Sequence, residues 1–132
     1  MEFQTERVKI TIGGIPVVAE LKPNRTAHAV LEALPITAPV NQWGEEFYCR
    51  LEGVKDFREV ATNQVKVGDV AFWGMGGMLA VFFGRTPMSL GDDPVPADRV
   101  NVIGKIIGDP KVLLQAEGAS TMVVEKYEEA PS

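Results

Sequence analysis

One cysteine and one histidine stand in the 132 residues, and the chemistry they support is correspondingly scarce. Cys49 has no partner for an internal disulfide, which fits a reducing cytosol. A zinc site built around one His and one Cys needs carboxylates for most of its ligands, so no metal is expected, and no motif calls for a cofactor. A Ser-His-Asp or Cys-His nucleophile would have to use His28, and nothing near it in sequence supplies the partners. His28 instead precedes Glu32 by four residues on the polar side of a helical pattern, the spacing of a surface pair.

Positive charge is also short. Thirteen Lys and Arg against 18 Asp and Glu leave a net charge of −5, so the average field repels a phosphate backbone and no nucleic-acid partner is expected. No apolar run approaches the ~20 residues that cross a bilayer, so no membrane partner is expected. The opening MEFQTERVKI has no apolar run after a positive start, so no signal peptide is expected and the location reads as cytoplasmic. Internal repeats and low-complexity segments are missing too. Gly74-Met75-Gly76-Gly77 lacks the Gly-Lys-Ser/Thr ending of a P-loop and the spacing of a dinucleotide fingerprint, and reads as a tight strand connection.

What is present is a globular composition, 45% hydrophobic, in a length that suits one domain over residues 1–132. The densest apolar and aromatic stretch runs from Val67 to Ser89, and the core must form around it. Arg7 to Ile12 alternates as a half-buried strand, Gly13-Gly14 turns the chain, and Ile15, Val17, Ala19 and Leu21 alternate on the return. Asn24 is a good N-cap for a helix bearing Ala27, Val30, Leu31 and Leu34 on one face, stopped by Pro35. Ile36 to Val40 and Phe47 to Leu51 read as a strand pair turning at Trp43-Gly44. Leu51 to Lys66 reads as loop.

Val70 to Trp73 and Met78 to Phe83 follow as two strands apolar on both faces, then a long loop from Gly84 to Asp98 and a strand from Val100 to Ile107 interrupted by Gly104. Asp109-Pro110 begins a short helix over Lys111 to Glu117. Ser120 to Tyr127 is a last strand, and Glu128 to Ser132 an acidic tail. About eight strands and two short helices predict a mostly β fold, a closed eight-stranded β-barrel with one or two capping helices.

Several clusters invite a chemical reading. Neighbours on a strand point to opposite faces, so Glu45-Glu46 does not form an acid/base pair without a bulge, and Asp92-Asp93 reads as solvated loop. Arg85 and the Thr86 hydroxyl in Gly84-Arg85-Thr86 suit an anion or a peptide carbonyl, although a structural turn is the stronger reading. Trp43, Phe72, Trp73, Phe82 and Phe83 are dense enough to form core, yet alternation sends some of them outward, where they can floor an apolar groove with Met75, Met78 and Met88.

Three segments resemble a small prokaryotic family of uncharacterised cyclophilin-like proteins. They are Asn41-Gln42-Trp43-Gly44-Glu45-Glu46-Phe47-Tyr48, the stretch from Gly68-Asp69-Val70 through Phe82-Phe83-Gly84-Arg85-Thr86-Pro87-Met88-Ser89, and Val100-Asn101-Val102-Ile103-Gly104-Lys105-Ile106. The resemblance implies an eight-stranded barrel with helices at its ends. The wider cyclophilins are peptidyl-prolyl isomerases, with an apolar proline pocket beside an arginine, a glutamine and a histidine. Phe82-Phe83 resembles the paired phenylalanines of that site, which makes Phe83 a pocket wall. Ile103-Gly104-Lys105 resembles the Phe-Gly-Lys segment, but the histidine four positions before the glycine is Val100 here. The run of an arginine followed by a glutamine, glycine and aspartate is missing. Isomerisation must lower a barrier of ~18–20 kcal/mol and needs a donor on the amide as well as a pocket, for which Arg50 and Arg85 are the candidates.

The leading expectation is a cytoplasmic barrel that binds a small molecule or peptide in an apolar groove lined by Phe83, Trp43, Trp73, Arg85, Thr86 and Phe82, with no catalytic residue. A prolyl isomerase with a rearranged site is one alternative. A homo-oligomer closed through an exposed apolar face is the other.

Overall fold

In a computed structural model that describes residues 5–54, 57 and 61–127, nearly every alternating segment becomes a strand. Strands β1 (Glu6–Ile12) and β2 (Ile15–Leu21) form a hairpin through Gly13-Gly14, burying Val8, Ile10, Ile12, Val17, Ala19 and Leu21 on one face. Helix α1 (Arg25–Glu32) starts where the Asn24 side chain accepts a hydrogen bond from the Ala27 N–H at 2.8 Å. It ends at Glu32, two residues short of the Leu34 that its apolar spacing includes, and His28 Nε2 meets Glu32 Oε1 at 2.6 Å on its surface. Its buried Thr26 receives the Asn101 side-chain amide at 3.0 Å, which ties the helix to the barrel wall.

The chain continues through β3 (Ile36–Gln42), β4 (Glu46–Arg50), β5 (Ala61–Thr62), β6 (Asp69–Trp73), β7 (Met78–Phe82), β8 (Val100–Ile107) and β9 (Thr121–Lys126). Hydrogen bonding follows the order β2-β1-β9-β3-β4-β7-β6-β8, and β8 returns to β2 with Leu21 opposite Gly104, so eight antiparallel strands close a barrel. The seam depends on Gly104, where an added Cβ would sit 2.5 Å from the Glu20 carbonyl oxygen. The two-residue β5 lies beside Val100 and Asn101 at the start of β8, inside the segment read from sequence as loop. The expected acidic tail lies outside the described residues.

Phe47, Phe72, Leu79, Val81, Phe83, Ile103 and Met122 fill the interior. Cys49 lies among them, its Sγ 3.6 Å from Met122 Sδ, and burial pushes its thiol up to about 12, so it stays protonated and unreactive. The second helical segment (Pro110–Ala116) is a 3₁₀ helix rather than an α-helix, a form common in short pieces. Asp109 caps it by accepting from the Lys111 N–H at 2.9 Å, and it buries Leu113 and Ala116. No helix among the described residues is long and apolar enough to cross a membrane.

The outer wall of β4, β6, β7 and β8 is apolar as well. Phe82, Ala80, Ala71, Val100 and Val65 form a second buried cluster, with Tyr48, Trp73 and Val102 packed on it. A sheet with one wet face does not need such residues. Here the wall lies against the chain between β7 and β8, whose Pro94 and Pro96 are buried.

Candidate functional site

Where that connection meets the wall it leaves a cavity of about 300 Å³. Trp43, Tyr48, Trp73 and Met78 line its sides, with Ala80 and Val100 also contributing from the wall. Pro96, Ala97 and Asp98 come from the connection, and Glu46 is the other acidic group.

The turn between β3 and β4 fixes the faces of Trp43 and the two glutamates. The Trp43 N–H donates to the Glu46 carbonyl at 2.9 Å, closing the turn. The Glu45 N–H donates to the Arg85 carbonyl at 2.7 Å, and the Phe83 N–H donates to the Glu45 carbonyl at 2.9 Å, so the turn is strapped to the chain leaving β7. The Glu45 carboxylate accepts from the Arg85 N–H at 3.4 Å and lies 3.8 Å from Lys111 Nζ. Glu46, its neighbour, shares the cavity with Tyr48. Trp73 is held at the far end of β6 by the Gly74–Gly77 turn. A Cβ on Gly76 would overlap the Trp73 ring, so that turn is built to fold tightly over the indole.

Glu46 is the unusual group. It is 8% exposed, and its carboxyl has no hydrogen-bond or ion-pair partner among the described residues. Desolvation alone pushes its pKa up to about 7. Asp98 sits at the edge of the cavity, where its carboxylate accepts from the Arg99 N–H at 2.8 Å. Among the described residues no lysine, arginine or histidine lines the cavity.

Of the six residues expected to form the groove, the fold brings Trp43 and Trp73 to this cavity. Phe83 belongs instead to the barrel interior, 1% exposed and stacked on Phe47 with ring centroids 4.9 Å apart. Phe82 faces outward but is fully covered within the wall cluster and does not reach the cavity. Arg85 is exposed, its guanidinium donating to the Ser89 carbonyl at 3.4 Å.

Thr86 is a loop staple. Its hydroxyl donates to the Val95 carbonyl at 2.5 Å and accepts from the Met88 and Val95 N–H groups, both at 3.3 Å. The Ser89 hydroxyl adds a bond to the Asp93 carbonyl at 2.8 Å. Both residues therefore shape the loop that delivers Pro96, Ala97 and Asp98, and neither lines the cavity. Of the methionines Met78 lines it, while Met75 and Met88 are exposed. Arg50 borders a different depression, of about 540 Å³, beside Ile36, Ala38 and Leu51.

The sequence brings Glu46 to notice only as half of a pair with Glu45, and Tyr48 and Asp98 are not among the residues expected to line the groove. Period-two alternation already places Glu46 on Tyr48's face, and the missing information was that this outward face is covered.

The cyclophilin-like family model matches residues 6–125. The chain belongs to the cyclophilin-like family. A hypothetical protein of Archaeoglobus fulgidus, with a structure solved in solution, is 33% identical and superposes with a TM-score of 0.78 over 95% of this chain and 97% of its own. McbB, solved in complex with tryptophan, is 17% identical with a TM-score of 0.65 over 95% of this chain and 46% of its own, a likeness of fold. No curated protein matches the chain. Within this cyclophilin-like barrel, Val100, the counterpart of the histidine named by the resemblance, supplies part of the cavity's apolar lining.

Proposed function

We propose that this cyclophilin-like barrel binds a small aromatic molecule in the outer-wall cavity, and that binding rather than bond chemistry is its role there. One observation supports this most: two tryptophans, a tyrosine and a methionine surround the side chain of a buried glutamate whose carboxyl has no partner among the described residues. Small-molecule sites have this composition, apolar and aromatic walls with a few polar groups, and 300 Å³ falls at the lower end of their sizes. McbB, similar in fold, was solved in complex with tryptophan, a ligand of matching bulk and aromatic character. A prolyl isomerase needs a donor against the substrate amide, and the two arginines that were candidates for it lie elsewhere, Arg50 beside the other depression and Arg85 on the Ser89 carbonyl. The buried thiol of Cys49 suits a cytosolic setting.

The test is unusually local because both tryptophans of the chain line the cavity. In ¹⁵N-labelled protein the two indole N–H signals should move saturably on titration with at least one of tryptophol, tryptamine and indole-3-propionate. Trp73→Ala should remove the response of the remaining Trp43 signal. If both indole signals stay fixed at millimolar concentrations of all three compounds, the reading is wrong.

A further inference from the structure

Resting on the cavity as a small-molecule site, we infer that its ligand carries a protonated amine, which Glu46 receives while Trp43, Tyr48 and Trp73 hold the apolar body. Glu46 is 8% exposed as a residue, it lines the cavity, and its carboxyl has no protein partner among the described residues, so it is an acceptor open to a ligand. A hydrocarbon ligand would bury it further and satisfy nothing. An anionic ligand would meet Glu46 and Asp98 with no lysine, arginine or histidine among the described residues along the cavity to offset the repulsion. An ammonium group answers both conditions: it donates up to three hydrogen bonds and gains from the faces of neighbouring indoles and phenols.

The remaining surroundings of Glu46 agree with this. Across the sheet it pairs with Phe82, an apolar residue of β7. The titratable groups that share its cavity are Tyr48 from the same strand and Asp98 from the connection before β8. Asp98 adds a second carboxyl to the cavity, and Tyr48 adds a phenol hydroxyl. The adjacent Glu45 engages Lys111 and the Arg85 backbone instead, so that lysine's charge is directed to the neighbouring carboxylate. Burial keeps the Glu46 carboxyl up at about 7, so lowering the pH below neutrality protonates the acceptor and thins the binding-competent population.

Three probes of one indole body separate the possibilities. Tryptamine is cationic, tryptophol is its neutral hydroxyl counterpart, and indole-3-propionate is anionic. At pH 8 tryptamine should bind on the order of tenfold more tightly than tryptophol, with indole-3-propionate weakest. Its affinity should fall on the order of tenfold between pH 8 and pH 5.5, while its own amine stays protonated throughout. Glu46→Gln should bring tryptamine to the tryptophol level and flatten its pH dependence, leaving tryptophol binding in place. Equal or tighter binding of tryptophol or indole-3-propionate at pH 8 would overturn the amine while preserving the small-molecule reading. Silence from all three compounds overturns both. If Glu46→Gln fails to fold, the ranking and pH profile of the unaltered protein decide the matter.

Discussion

Glu46→Gln should stabilise the folded barrel at pH 8 by roughly 2–3 kcal/mol and leave its stability nearly unchanged at pH 4. The reasoning is one of proton linkage. In the unfolded chain this carboxyl titrates near its ordinary value of 4.5, and in the fold burial holds it at about 7. Between those values the folded state keeps a proton that the unfolded state has released. Stability contributed by the neutral acid is therefore fully present below pH 4.5, declines as pH rises through the window, and is lost above 7. A neutral amide of the same shape has no such window. Urea unfolding of both proteins at pH 4, 6 and 8 measures the difference directly. Stabilisation that grows with pH identifies a carboxylate held at a cost to the fold, which is how functional groups depart from the optimum for stability. Destabilisation by Glu46→Gln at pH 8 would mean that the ionised carboxylate is a structural acceptor.

Phe83→Ala and Trp73→Ala should fail in opposite ways. Phe83 is 1% exposed and stacks on Phe47 inside the barrel, so truncating it leaves a cavity and costs about 3–5 kcal/mol. Trp73 is half-buried against an open cavity, where solvent can enter the space it leaves, and its loss should cost roughly 1–2 kcal/mol. Binding should follow the reverse order. The folded fraction of Phe83→Ala keeps an intact cavity and retains the ligand response, whereas Trp73→Ala loses it. Denaturant midpoints paired with the Trp43 indole titration separate the two effects. A Phe83→Ala protein of normal stability that no longer binds would return Phe83 to the pocket.

That contrast shows what the residues disclose before folding. Alternation at Val8-Ile10-Ile12 and Val17-Ala19-Leu21, with a glycine pair between them, specifies a hairpin from local physics alone. The Asn24 cap is equally local. Phe82 and Phe83 are different. Alternation requires them to face apart, but which one faces inward depends on pairing with a distant strand. The register that sets Glu46 opposite Phe82 sends Phe82 outward and Phe83 inward. A resemblance to paired phenylalanines could not supply that parity.

Arg85 and Thr86 show a second kind of limit. Both bear groups suited to an anion, and both are engaged by backbone atoms of their own loop, a closure that depends on Val95 and Ser89 returning to meet them. Glu46 shows a third. Its separation from Glu45 onto the opposite face follows from strand geometry. The cavity it lines is completed by Pro96 and Ala97, which lie far along the chain and supply its other side only when the barrel closes. The site is thus legible in its aromatic content and hidden in the long-range covering that makes one carboxyl unusual.

The most direct measurement is a ¹³C titration of the Glu46 side-chain carboxyl, made on free protein and again with tryptamine present. The expected midpoint is near 7 in the free protein, moving down on addition of tryptamine and holding its place on addition of tryptophol. A midpoint at the ordinary carboxylate value of 4.5, indifferent to tryptamine, would contradict the central claim that this buried carboxyl is the acceptor of a ligand site.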